Sequence, residues 1–232
     1  MKKTLAILYM ILAVQEPLVH AEPANADPLA GLWRYDEISH GGEAPLTNTG
    51  LFLFHNGRFF QQTIDDDMGQ AHAGTYTIDD GTVSFNIEMG ILVSENYAPV
   101  MAVRLNANNR ASIDLQDNLL TLKFDEKTVQ TLKKHSEVEN AEVYTVQGGY
   151  LVFTHDSFIY MSLESDNLEA GSGRYKQIGD TFTLQANPWI SVSGERVIYS
   201  YNEEIDLNLR EKTFDFSSGR TVKLNISSEI DE

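Results

Sequence analysis

The sequence predicts an all-β protein built from two tandem antiparallel β-barrel units. One larger closed barrel, or a sandwich made jointly by both copies, is the alternative arrangement. Three observations lead to this reading. Shifted by 99 residues, the stretch 50–88 lies over 149–187 without a gap: Gly50 meets Gly149, Phe54 meets Phe153, Phe59 meets Phe158 and Asp67 meets Asp166. Gly74/Gly173, Tyr76/Tyr175 and Thr82/Thr181 continue the match, and Ile91/Ile190, Val93/Val192 and Ser94/Ser193 resume it. A repeat of this length marks two copies of one folding unit. The apolar residues alternate with period two in short segments broken by tight-turn residues, the mark of half-buried strands. A meander of roughly eight such strands per copy removes its own edges by closing on itself.

The elements follow in order. Residues 32–38 alternate as a strand that places Trp33 and Tyr35 on one face and Leu32, Arg34 and Ile38 on the other. Gly41, Gly42 and Pro45 break it. Residues 51–54 and 58–64 flank His55-Asn56-Gly57, and Asn-Gly between apolar runs is a strong hairpin signal. Asp65-Asp66-Asp67-Met68-Gly69 forms the next turn. Residues 74–78 and 82–87 flank the turn Asp79-Asp80-Gly81. Strands at 100–105, 111–115 and 119–124 complete the first copy, with turns at 106–110 and 116–118. The second copy repeats the order with strands at 142–146, 150–154, 158–164, 173–178, 181–186, 196–201, 204–209 and 221–226. One segment, 125–135, reads as a helix that Asp125 caps and Val129 and Leu132 stripe. The expected organisation is a signal peptide over 1–21, a disordered leader over 22–29, repeat 1 over 30–124, a helical linker over 125–140 and repeat 2 over 141–232.

Lys2 and Lys3, the uncharged apolar run 4–14 and Val19-His20-Ala21 form a secretory signal peptide whose apolar core is too short to anchor in a bilayer. Export to the periplasm or the medium is expected, with a mature chain that has no membrane-inserted segment. The chain has no cysteine, which excludes disulfides and lipoprotein acylation. It carries 34 acidic against 17 basic residues. Nucleic acids and anionic lipid surfaces are bound through Lys and Arg, so such partners are not expected. The acids are scattered, as suits solubility, rather than gathered into a docking block.

Several segments resemble the bacterial and fungal lipocalin-like domain family. They are Gly149-Tyr150-Leu151-Val152-Phe153-Thr154-His155-Asp156, Tyr160-Met161-Ser162, Ser172-Gly173-Arg174-Tyr175 and Gly179-Asp180-Thr181. Gly31-Leu32-Trp33 is similar to the Gly-x-Trp that opens lipocalin barrels, where the second copy has Val143-Tyr144-Thr145. The resemblance covers most of 30–226. It implies ligand binding in a calyx or, as in some paired lipocalin-like proteins, cyclase or isomerase chemistry in a pocket between two units.

Five aromatic residues are the candidate ligand contacts: Trp33, Tyr35, Tyr76, Tyr175 and Trp189. Trp33, with Tyr35 on the same face, would form a pocket floor or simply plug the core, as small barrels fill their interiors. Tyr76 and Tyr175, equivalent in the two copies, would orient a ligand through a phenol or else tie down a turn. Trp189, read in a long connection after Pro188, would sit at a barrel mouth or staple a loop. The histidines show no metal-ligand spacing, with His55 and His155 read as exposed hairpin tips, and the Asp65–Asp67 acids read as a solvated turn; no metal and no cofactor are expected. No nucleophile elbow, P-loop or dinucleotide fingerprint is present. The expected function is therefore an exported binder of a small apolar or amphipathic molecule. A cofactor-independent cyclase or isomerase and an envelope protein–protein interaction module are the alternatives.

Overall fold

The computed structural model describes residues 27–39, 46–47, 49–65, 68–94, 97–136, 138, 141–164, 167–179, 181–193, 196–200, 202–217, 219–224 and 226–229. The segment expected as a signal peptide, most of the expected leader, the expected break at Gly41-Gly42 and the tip of the expected Asp65–Asp67 turn lie outside them. Every regular element among the described residues is a strand.

The first copy is β1 (Gly31–Ser39), β2 (Leu46–Thr47), β3 (Thr49–His55), β4 (Arg58–Asp65), β5 (Met68–Asp79), β6 (Thr82–Ser94), β7 (Tyr97–Gln116), β8 (Leu119–Lys123) and β9 (Val129–Ser136). Sequence neighbours pair antiparallel along the sheet, β2 hangs on β1, and β9 returns to pair with β1, closing a barrel. Asn56-Gly57 and Asp80-Gly81 turn their hairpins with positive φ at both positions, the type I′ geometry that suits the strand twist.

The second copy is β10 (Glu142–Val146), β11 (Gly149–Phe153), β12 (Ser157–Glu164), β13 (Asn167–Ile178), β14 (Thr181–Ser193), β15 (Arg196–Ser200), β16 (Glu203–Asn208), β17 (Thr213–Phe216), β18 (Thr221–Lys223) and β19 (Ile226–Glu229). The 99-residue shift carries β4, β5 and β6 onto β12, β13 and β14 end for end. This sheet curls into an open barrel. Its outer members, β18 on β17 and β19 on β10, are two consecutive pieces of the terminal segment. Residues 51–54 and 150–153 belong to different sheets, which excludes the single shared barrel.

Four expectations need correction. The segment expected as a helical linker is a turn followed by β9. Asp125 does cap, but it caps the turn: its carboxylate accepts the Lys127 and Thr128 amides at 2.7 Å each. Val129 and Leu132 looked helical by spacing, yet Gln130 and Leu132 alternate inward with period two, and the open edge of β1 supplies the partner. The first unit therefore runs to Ser136 rather than 124. The leader also ends earlier than expected, because residues 27–29 belong to the fold. The expected turn at 106–110 is the middle of β7, whose pairing with β6 shifts register near Met89. Finally, Ile38 joins Trp33 and Tyr35 inside, because a bulge between Tyr35 and Glu37 reverses the alternation.

The two units share a core. The outward faces of β1, β3, β4 and β5 carry Leu32, Leu51, Leu53, Phe60, Ala71 and Ala73, and these pack with Val143, Val152, Ile159, Met161, Leu168, Ala170, Ile190 and Val192. Each face would be a large exposed apolar patch if alone, so the pair folds as one body.

Candidate functional site

In the first barrel, the turns at 56–57, 80–81 and 117–118 lie at one end, with the start of β1. That end is sealed. Leu29 is fully buried there, and its carbonyl accepts the Trp33 indole N–H at 2.8 Å. The Tyr76 hydroxyl bonds the Asp27 carboxylate, which also accepts the Leu29 amide at 2.9 Å. Burial foremost, and then Asp27, push the Tyr76 phenol far up, so it stays a neutral donor. From β9, opposite Trp33, Lys134 sets its ammonium 5.4 Å from the indole centroid. Above this plug the interior is a stack of phenylalanines, with Phe52 4.4 Å from Phe54 and 5.9 Å from Phe85.

Beyond Phe52 the packing stops, and a cavity of about 260 Å³ remains at the other end of the bore. Phe52, Phe59, Phe85 and Phe124 form its apolar wall. Its polar groups are nearly all uncharged: Gln61, Gln70, Gln130, Asn109 and Thr128. His72 adds an imidazole that burial holds down at about 4, so it is neutral at ordinary pH. Asp125, exposed in the 124–128 turn, is the one acid on the rim. Tyr35 lies deeper, donating to Gln130 at 3.3 Å, and burial pushes its phenol well up.

The internal repeat explains why this cavity exists. Gln61 and Gly90 of the first copy correspond to Tyr160 and Trp189 of the second. There the two rings stack at 5.5 Å and fill the bore, with Phe214 and Phe216 edge-on to the indole at 5.6 and 5.3 Å. Opposite Gly90 across the ladder stands His72; opposite Trp189 stands Gly171. Large and small have changed places, and the volume that the indole occupies in one copy is open in the other.

The structure separates the five candidate aromatics. Trp33 and Tyr35 are together in the first barrel, Trp33 in the sealing plug and Tyr35 near the cavity. Tyr76 is part of the seal. Tyr175 is tied down by donating to the Thr154 carbonyl at 2.7 Å, so it braces a turn of the second unit. Trp189 is not in a mouth loop. It lies within β14, 1 % exposed, in the second unit's interior. Pro188 suggested a connection, but it falls where β14 shifts register between Gly171 and Gly173, after its pairing with β16 and before its pairing with β15. A bulge tolerates a residue without an amide hydrogen. His55 is likewise buried at 8 %, not an exposed tip. Gln61, Gln70, His72, Phe85, Phe124 and Gln130 were missed as site residues. Gln61 meets Tyr160 in the repeat, but most positions of 50–88 differ from 149–187, so this mismatch alone carried no signal.

Between the units lies a polar cleft of about 420 Å³, lined by residues that include Arg34, Leu51, Arg174, Gln185, Asn187 and Asn202. His135 nearby is held below its usual range, by burial first and then by the charges of Arg34 and Arg174.

No family model matches the chain, and no curated protein is found similar to it. Among solved structures the chain is similar to an uncharacterized protein from Bacteroides eggerthii DSM 20697, at 13 % identity and a TM-score of 0.33, over 46 % of this chain and 99 % of that one.

Proposed function

We propose that this protein is an exported binder of a small, uncharged, apolar or amphipathic molecule held in the open end of the first barrel. The observation that carries the reading is the exchange between copies: Gln61 and Gly90 leave open what Tyr160 and Trp189 fill. Four phenylalanines offer an apolar wall and the amides and His72 offer hydrogen bonds without net charge. This is the usual composition of a small-molecule pocket, a mostly apolar concavity with a few oriented polar groups. The volume is near the lower end for such sites, which favours a compact ligand. The lipocalin-like motifs support the same reading. Export is carried by Lys2, Lys3, the apolar run and Val19-His20-Ala21. Cleavage after Ala21 would leave Asp27 and Leu29, which seal the barrel, in the mature chain.

The test is a titration with N-phenyl-1-naphthylamine, an uncharged apolar fluorophore. Saturable enhancement is expected for the wild type, weakened roughly tenfold or more in Gln61→Tyr, which carries the second copy's residue into the first cavity. A wild-type titration that never saturates, or a Gln61→Tyr variant that binds equally well, would overturn the proposal. Amino-terminal sequencing of the secreted or periplasmic form tests export, with a start near Glu22 expected and an intact Met1 refuting it.

A further inference from the structure

The second unit has a mouth at the same end of its bore, and its chemistry is opposite. The equivalence is shown by hydrogen bonding: the Phe124 amide donates to the Thr128 carbonyl at 3.0 Å in the first unit, and the Phe216 amide donates to the Arg220 carbonyl at 2.8 Å in the second. Arg220 thus stands where the first mouth has Thr128, and Glu169 stands where it has Gln70. Above the Tyr160–Trp189 plug lies a cleft of about 700 Å³. Three cations line it, Arg196, Arg220 and Lys223, in a chain whose net charge is −17.

Glu169, the single acid of that lining, is already satisfied. Its carboxylate accepts the Trp189 indole N–H at 2.6 Å, the Ser191 hydroxyl at 2.7 Å and the Arg220 guanidinium at 2.5 Å. Arg220 is held on its other side by the Phe216 ring, 3.8 Å from the guanidinium carbon, yet its side chain stays 40 % exposed. A guanidinium fixed in this way loses little freedom on meeting a second anion. Arg196 and Lys223 are exposed, and among the described residues neither side chain has a hydrogen-bond or ion-pair partner. Two positive charges are therefore left over, facing one concavity. Ile198, 41 % exposed, and Val222 add apolar surface beside them.

We infer that this cleft is a second ligand site, specific for a small organic anion with an apolar body, such as a carboxylate on a short alkyl chain. Its head sits among Arg196, Arg220 and Lys223 and its body lies along Ile198 and Val222. The two copies have then diverged into a neutral site and an anion site. This inference does not depend on the first barrel's cavity being occupied.

Isothermal titration with octanoate and with its neutral analogue 1-octanol tests it on the full mature chain, the two being compared in the Gln61→Tyr background so that octanol taken up by the first cavity does not enter the comparison. Octanoate binds saturably, weakens as salt is raised, and is preferred over octanol by roughly tenfold or more, the scale of a charge-assisted contact. The double variant Arg196→Gln/Lys223→Gln loses that preference while its thermal melt stays that of the wild type, since both side chains are exposed. Gln61→Tyr, which blocks the first cavity, leaves octanoate binding unchanged. Absent saturation, equal binding of octanol, or a double variant that binds octanoate like the wild type would each overturn the inference. So would loss of octanoate binding in Gln61→Tyr, which would put the anion in the first barrel; saturable binding of the neutral fluorophore there is a separate readout.

Discussion

Gly171 and Trp189 are cross-strand partners, and the indole lies where a side chain on residue 171 would begin: a Cβ there would stand 2.1 Å from Cε3. The ring cannot move aside. It is stacked on Tyr160, edge-on to Phe214 and Phe216, and tied through its N–H to Glu169. Gly171→Ala should therefore destabilise the protein by about 1–3 kcal/mol, the range for overpacking a dense core. Urea denaturation measures it, and the change should come with altered tryptophan fluorescence. Unchanged stability would mean that the second bore is looser than this packing implies.

Both tryptophans are structural, at opposite levels of two bores. Trp33→Ala removes the plug of the first barrel, its bond to Leu29 and its contact with Lys134, and should cost about 3–5 kcal/mol. Trp189→Ala should cost a similar amount. Had Trp189 stood in a mouth loop, that substitution would have been nearly silent, so the pair of chemical melts distinguishes the two placements. Lys134→Met should cost far less than either, about 0.5–1 kcal/mol, the worth of a solvent-accessible cation over a ring.

The fold was legible in the sequence where backbone constraints repeat. Gly50 and Gly149 match because a Cβ on either would strike a carbonyl oxygen, that of Gln62 at 2.0 Å or of Met161 at 1.7 Å. Gly74 and Gly173 match for the same reason, against Asn86 and Gln185 at 2.0 Å each. Any copy of this hairpin stack must keep these glycines, so they survive divergence. What was not legible came from tertiary context. β9 looked helical because two apolar residues three apart share a helix face, whereas on a strand they point to opposite faces and the inward pair is Gln130 and Leu132; only the open edge of β1 decides between the two. Trp189 looked exposed because Pro188 marks a loop as readily as a bulge. The cavity is not legible in the matches of the repeat, because it is built from the mismatches Gln61/Tyr160 and Gly90/Trp189, whose meaning depends on both copies sharing one backbone path.

His72 should make stability depend on pH in a defined window. Burial holds its imidazole at about 4, against roughly 6.5 in an unfolded chain. As pH falls below about 6.5 the unfolded chain takes up a proton that the folded one refuses until about pH 4, so stability is lost across that interval. The full loss is about 3 kcal/mol at most. His135, also held down chiefly by burial, adds a contribution of the same sign. His72→Gln should flatten the curve without abolishing its slope. Urea midpoints at a series of pH values check this, and an equal slope in wild type and variant would show that His72 titrates freely.

Arg58 of the first unit reaches the second, where a terminal guanidinium nitrogen donates to the Tyr150 hydroxyl at 3.0 Å and the guanidinium carbon lies 5.2 Å from the same ring. Phe60 meets that ring edge-on at 5.3 Å, and Glu88 stands 3.6 Å from the guanidinium. Tyr150→Phe keeps the ring and removes the hydroxyl, and should cost about 1 kcal/mol, as for one hydrogen bond. Arg58→Met removes both contacts and should cost more, while its thioether retains part of the packing. Because the two residues touch, their effects should not add: a double-mutant cycle should give a coupling of about 0.5–2 kcal/mol. Every variant should still unfold in a single transition. Leu51, Leu53 and Phe60 share one core with Val152, Ile159 and Met161, so unfolding either unit strips the cover from the other. Two resolved transitions in the wild type would show that the units hold their structure independently and that the shared core contributes little.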